Sequence, residues 1–136
     1  MKFFYKKFAN GVERPIIPIT VRNPATGLSV RYHALVDSGA DRCMFAGEIS
    51  ELIGLDLQKG IKRTVSGVIA GRSRPYYLHD VEIGVGEWHG RAGIGFMPDL
   101  SSNGHGVLGQ NGFFDLFSFV KFKRLKGIIE LGTFTS

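Results

Sequence analysis

The chain has 136 residues, 43% of them hydrophobic, with 19 glycines, a single cysteine and a formal net charge of +5. That length suits one domain, residues 1–136, with a real core, and is too short for two lobes. Cys43 alone excludes an internal disulfide and fits a reducing, cytoplasmic setting, and no apolar run approaches membrane-spanning length.

Glycine at about twice its usual share cuts the sequence into short apolar runs, which predicts an all-β fold, mainly strands with one or two short helices. Met1 to Phe8 reads as an edge strand with imperfect alternation, and it lacks the apolar core and cleavage site of a signal peptide. Pro15 to Arg22 predicts a strand, placed at an edge by Pro15 and Pro18. Asn23 to Gly27 is a turn by composition, and Leu28 to Val36 returns as the second arm of a hairpin. Ala46 to Leu55 is a helix in which Ile49, Leu52 and Ile53 share a face and Gly54 marks the end.

Ile61 to Leu78 predicts a hairpin whose tip, Ser66 to Gly71, is apolar and bounded by glycine. Loop tips are ordinarily polar, so Val68 and Ile69 either fold into the core or act as a mobile cover over an extended ligand. Val81 to Val85 and Arg91 to Met97 are strands joined through Gly86 to Gly90. Pro98 to Gly106 is a polar connection, Val107 and Leu108 form a short buried strand, and Gln110 to Leu116 is a short helix. Phe117 to Lys123 with Ile128 to Leu131 closes the chain as a hairpin. Lysines among aromatics near both ends are a composition that single-stranded nucleic acid can use. On a β protein the alternation of Val120 and Phe122 with Lys121 and Lys123 describes strands with a dry and a wet face. Nucleic acid is therefore not the expected partner.

The chemistry concentrates in Asp37-Ser38-Gly39-Ala40-Asp41. Asp and Ser on a turn commonly bond their own backbone and do nothing else. Here Val30, Tyr32, Ala34 and Val36 alternate as one strand face and deliver Asp37 to the place where a buried strand ends. Gly39 leaves room for backbone amides to approach the carboxylate or a ligand, and apolar neighbours are the setting in which a carboxyl pKa moves. Other motifs are weaker. Gly90 to Gly95 lacks the lysine and hydroxyl residue of a phosphate-binding loop. His33, His79, His89 and His105 are too scattered for a metal site, so no metal or cofactor is expected. Ser38 has no identifiable base, and Cys43 no histidine partner nearby, which makes it a buried or spare thiol.

The order of strand, Asp-Ser-Gly-Ala, helix, glycine-bounded hairpin, strands, apolar-apolar-Gly and helix, from Pro15 to Gly132, resembles the retropepsin-like aspartic proteases. That resemblance implies an acid-protease barrel with one lobe per chain. It makes Asp37 the catalytic aspartate, Ser38 the hydroxyl that bonds across a two-fold axis, and Gly39 and Ala40 the rest of the turn that meets substrate. Asp41 then contacts substrate main chain or braces the site, and Gly67, Val68, Ile69, Ala70 and Gly71 form a flap. Val107, Leu108 and Gly109 pack beneath the catalytic loop, with Val107 and Leu108 also assigned to substrate binding. The sequence departs from the family where Gln110 stands in place of a frequent arginine. The implied function is a homodimeric endopeptidase acting on extended peptide or protein substrates through one Asp37 from each chain. The alternative is a catalytically silent, dimeric peptide-binding or scaffold domain.

Overall fold

The computed structural model describes residues 1–66, 73–101 and 103–134. The chain opens with three short strands, β1 (Lys2–Phe4), β2 (Lys6–Lys7) and β3 (Glu13–Arg14). A hairpin follows, β4 (Ile16–Arg22) and β5 (Ser29–Val36), then β6 (Met44–Ala46) running directly into the helix α1 (Gly47–Leu52). Next come β7 (Ile61–Ser66), β8 (Ser73–Val85), β9 (Trp88–Met97) and β10 (Gly106–Leu108), and last β11 (Phe119–Lys123) and β12 (Ile128–Gly132).

Seven of these strands form one sheet in the order β4-β5-β10-β6-β9-β8-β7. The sheet folds back on itself, because β4 pairs β8 as well as β5: Thr20, Val21 and Arg22 face Gly84, Ile83 and Glu82. A second sheet has the order β1-β12-β11, and β2 pairs β3. Alternation explains the packing. Ile17, Ile19 and Val21 point inward from β4, Tyr32, Ala34 and Val36 from β5, and Val81, Ile83 and Val85 from β8. Ala92, Ile94 and Phe96 join them from β9, and Ile129 and Leu131 reach the same core from the second sheet. Each of the larger side chains contributes about 1.5–3 kcal/mol by leaving water. Tyr32, Phe45 and Phe96 stack edge to face, with ring centroids 5.2 and 6.0 Å apart.

The hairpin of β4 and β5 forms as its composition predicts. Buried Asn23 accepts from the Ala25 N–H and donates to the Ile53 carbonyl, both at 3.0 Å, so one amide sets the turn and ties it to the end of α1. Four expectations need correction. Met1 to Phe8 is divided between two sheets, because β1 pairs β12 and β2 pairs β3. The strand with Pro15 and Pro18 is not an edge along its whole length; Pro18 falls where β4 has only β5 beside it, and β8 joins further on. The helix is six residues long and ends at Leu52, with Ile49 and the following Ile53 buried but Leu52 59% exposed, because the chain turns out of helical geometry before a full apolar face is built. Gly54, at φ +76°, completes that exit.

The fourth correction concerns β8. It runs unbroken through Leu78 into Val85, joining what reads in sequence as a hairpin arm and a separate strand. Ser73 to Leu78 pair β7 and Tyr77 to Val85 pair β9, while Glu82 to Gly84 also meet β4, so one long strand serves three neighbours. The glycine run from Gly90 to Gly95 lies inside β9 and is a strand rather than a loop. Among the described residues no helix is long and apolar enough to cross a membrane.

Candidate active site

The site is built where two distant segments meet. β10 lies between β5 and β6, parallel to β5, with Gly106, Val107 and Leu108 opposite Ala34, Leu35 and Val36. Gly106 permits the approach: a Cβ there would stand 2.6 Å from the Tyr32 ring and 2.8 Å from the Phe45 ring. At the end of β5 the Asp37 N–H donates to the Leu108 carbonyl at 2.9 Å, so the parallel pairing carries straight into the turn.

The turn closes locally and is then bound from outside. The Ala40 N–H donates to the Asp37 carbonyl at 3.2 Å, and the Gly39 N–H donates to Asp37 Oδ1 at 2.9 Å. The half-buried carboxylate is thus held by an amide of its own turn. The segment after β10 crosses beneath. The Gln110 N–H reaches the Ala40 carbonyl at 2.8 Å, and Gln110 Nε2 donates to the Ser38 carbonyl at 2.9 Å. Asn111 gives both its N–H and its Nδ2 to the Asp41 carbonyl, each at 2.9 Å, and it pairs with Arg42 as a parallel bridge.

Gly109 is the pivot of this crossing, since a Cβ would lie 2.6 Å from the Ala40 carbonyl oxygen and 2.7 Å from that of Arg42. The expected helix from Gln110 to Leu116 is reduced to a single tight turn at Phe114–Leu116. Asn111 is drawn into extended pairing with Arg42, and Gly112 adopts φ +103°, so helical hydrogen bonding cannot begin earlier. Gln110 and Asn111 are the supporting residues that sequence reasoning did not place in the site. Their signal was position: they are the first two side chains after an apolar-apolar-Gly segment.

Cys43 lies under the turn with no exposed surface, and its sulfur accepts from the Gly109 N–H at 3.3 Å. Burial pushes the thiol up to about 12, with the Gly109 amide opposing only part of the shift. It is therefore a protonated packing group and not a nucleophile, as its sequence context indicates.

A cleft of about 480 Å³ opens between this turn and the hairpin of β7 and β8. Gly39, Ala40 and Asp41 form one wall, and Arg42, Val107 and Tyr76 are among the residues that continue it. Of the residues expected in the site, Asp37 and Ala40 are half-buried, and Ser38, Gly39 and Asp41 are exposed. Val107 faces the cleft, whereas Leu108 is fully buried and serves as a core residue and as the acceptor for Asp37. Gly67, Val68, Ile69, Ala70 and Gly71 lie outside the described residues. At the start of β8, opposite Val65 of β7, Arg74 Nη1 lies 3.1 Å from Asp99 Oδ2.

The four histidines form no common cluster, although His33 and His105 line one pocket. His79 Nε2 lies 2.8 Å from the Leu57 carbonyl, and His89 Nδ1 is 3.9 Å from Glu82. Among the described residues no group of three or more His, Cys, Asp or Glu side chains could hold a metal ion.

No protein-family model matches the chain, and no curated protein matches it. Solved structures do. The chain is similar to a retropepsin-like aspartic protease from Rickettsia conorii, with 18% identity over 96% of this chain and 89% of that one, at a TM-score of 0.64. It is also similar to the EIAV protease complexed with the inhibitor HBY-793, with 16% identity over 75% of this chain and 86% of that one, at a TM-score of 0.50. The strand order, the crossing beneath the Asp37 turn and these likenesses agree on one architecture: the chain has an all-β, retropepsin-like fold.

Proposed function

We propose that the protein is a homodimeric aspartic endopeptidase whose site is completed by one Asp37 from each chain. The observation that carries this reading is the fixed presentation of Asp37. Its N–H is tied to Leu108, its carboxylate to the Gly39 amide, and the turn is braced from below by Gln110 and Asn111. Such a mount costs nothing to reorganise during reaction, which is what general acid–base chemistry requires of a positioned carboxyl group.

The stoichiometry follows from the reaction. Hydrolysis of a peptide bond by this route needs one carboxylate to take a proton from water and one carboxylic acid to donate to the carbonyl oxygen. Two carboxyl groups side by side share a proton, because ionising both at once is costly. The 136 residues hold one Asp-Ser-Gly and no second Asp-Ser/Thr-Gly. A second copy related by a two-fold axis supplies the partner most simply. Titration then belongs to the pair rather than to either residue.

Asp37→Asn tests the mechanism. The asparagine oxygen still accepts from the Gly39 amide, so folding and dimerisation persist while peptide cleavage falls by roughly 10³-fold or more. Mixing wild-type chains with increasing Asp37→Asn chains should lower activity faster than dilution does. Turnover retained by Asp37→Asn, or a linear dilution curve with exchanging subunits, overturns the reading. Peptide binding without cleavage by the wild type would replace it with the silent binding domain.

A further inference from the structure

The cleft wall presents two consecutive ionisable side chains, Asp41 and Arg42, with opposite requirements. An aspartate there needs a donor, such as the N–H of an extended ligand. An arginine needs an acceptor, and Arg42 has no carboxylate within ion-pair distance among the described residues. Arg74, on the hairpin across the cleft, shows the contrast: its guanidinium is already neutralised by Asp99 at 3.1 Å.

Arg42 is also unusually well founded for a half-exposed cation. Its backbone pairs with Asn111, and its carbonyl packs so closely on Gly109 that no side chain fits between them. The following residue is pinned as well, through the Cys43 N–H on the Asn111 carbonyl at 3.3 Å. The fixed backbone sets where the guanidinium can reach, and its planar fork matches a carboxylate. The cleft continues over Met44, Val65, Val107 and Tyr76, which suit the methylenes of a glutamate and weaken competition from water.

From these observations we propose that Arg42 selects an acidic side chain, so that the peptides taken by this site carry Glu or Asp within about four residues of the scissile bond. The distance follows from the chain itself. Arg42 lies five residues after Asp37, and an extended strand advances about 3.3 Å per residue, so a turn places it nearer than five residues of extended ligand. Asp41 sharpens the register, because it repels an acid at its own position and accepts a backbone N–H there. Alternation of side chains along an extended ligand presents the acid to one of these neighbours and the main chain to the other.

The inference rests on the proteolytic reading for its functional meaning, and its test separates the two. A mixed library of peptides derived from whole-proteome digests is offered to the wild type for cleavage. The same library is offered to immobilised Asp37→Asn protein for retention. Glu and Asp should be enriched at one fixed position near the cut and among the retained peptides. The best acidic peptide should be preferred over its Glu→Gln counterpart by about tenfold or more. Arg42→Gln should erase that ratio, and Arg42→Glu should invert it in favour of the Glu→Lys peptide. A merely structural role for Arg42 would move stability and leave the ratio alone.

Cleavage without acidic enrichment, or a ratio unchanged in both variants, overturns the inference and leaves the protease reading intact. Absence of any cleavage overturns the protease reading, and the retained peptides then decide on Arg42 by themselves. Retention without acidic enrichment rejects the selection.

Discussion

Two half-buried carboxylates, Asp37 at the end of β5 and Glu130 in the sheet of chain-end strands, are held in opposite ways. Glu130 faces Lys2 on one side and Lys121 on the other by register, and its Oε2 lies 2.6 Å from Lys123 Nζ. The Lys123 contact, helped by the charges of Lys123, Lys2 and Lys121, holds the Glu130 carboxyl below the usual range. Asp37 accepts from a backbone amide of its own turn, and no cation lies within ion-pair distance of it among the described residues. A carboxylate surrounded by lysines is held toward its charged form and serves the fold. A carboxylate positioned by the backbone is held in one orientation and left without a neutralising cation among the described residues, which suits a group that must meet a ligand.

The sharpest way to break that comparison is to neutralise each acid in turn. Asp37→Asn is expected to remove turnover and leave the melting temperature nearly unchanged, whereas Glu130→Gln should do the reverse. If both substitutions cost only stability, the two sites are not different in kind. Next in size is Gly109→Ala, which drives a Cβ into the Ala40 and Arg42 carbonyls. It should destabilise the fold by about 3 kcal/mol in urea unfolding, because backbone on both sides leaves little room to relax.

Smaller effects refine the picture. Gln110→Ala removes the donor to the Ser38 carbonyl and should cost about 1 kcal/mol or less in stability, because the site is exposed. Its effect on kcat/KM should be larger, roughly tenfold, since it loosens the turn that aims Asp37. Gln110→Arg, which keeps a donor of similar reach, should retain the rate. For Glu130 the folded carboxyl titrates below its unfolded value, so the stability it contributes is present above the ordinary carboxylate range. That contribution is lost as pH falls through the lowered folded value. The gap in melting temperature between wild type and Glu130→Gln should accordingly be open at pH 7 and closed in acid. Last, Cys43 should resist iodoacetamide in the native protein at pH 8 and react once denaturant exposes it, as a buried thiol raised to about 12 requires.

Much of the site was legible because its signals are local. An alternating strand that ends in Asp-Ser-Gly predicts a carboxylate on a turn, and that is where Asp37 stands. Val107-Leu108-Gly109 predicts a short buried strand, and β10 is one. Leu108 shows the limit: which of two adjacent apolar residues faces the cleft depends on β10's neighbours, and only the pairing with β5 and β6 sends Leu108 inward and Val107 outward. At Gln110 the sequence departs from the arginine frequent in the family it resembles. In the folded chain two neutral amides, Gln110 and Asn111, hold the turn by its carbonyls instead.

The amino-acid sequence by itself determined the fold class and the identity of the acidic turn, because strand alternation, glycine spacing and turn chemistry act over a few residues. Only the tertiary structure decided which carbonyls Gln110 and Asn111 would find, and whether β8 was one strand or two. It also decided that Arg42 would have no carboxylate within ion-pair distance among the described residues while Arg74 pairs with Asp99. The contacts of Gln110 and Asn111 join segments about seventy residues apart. Such contacts follow from parallel pairing and close backbone approach, and no local pattern encodes them.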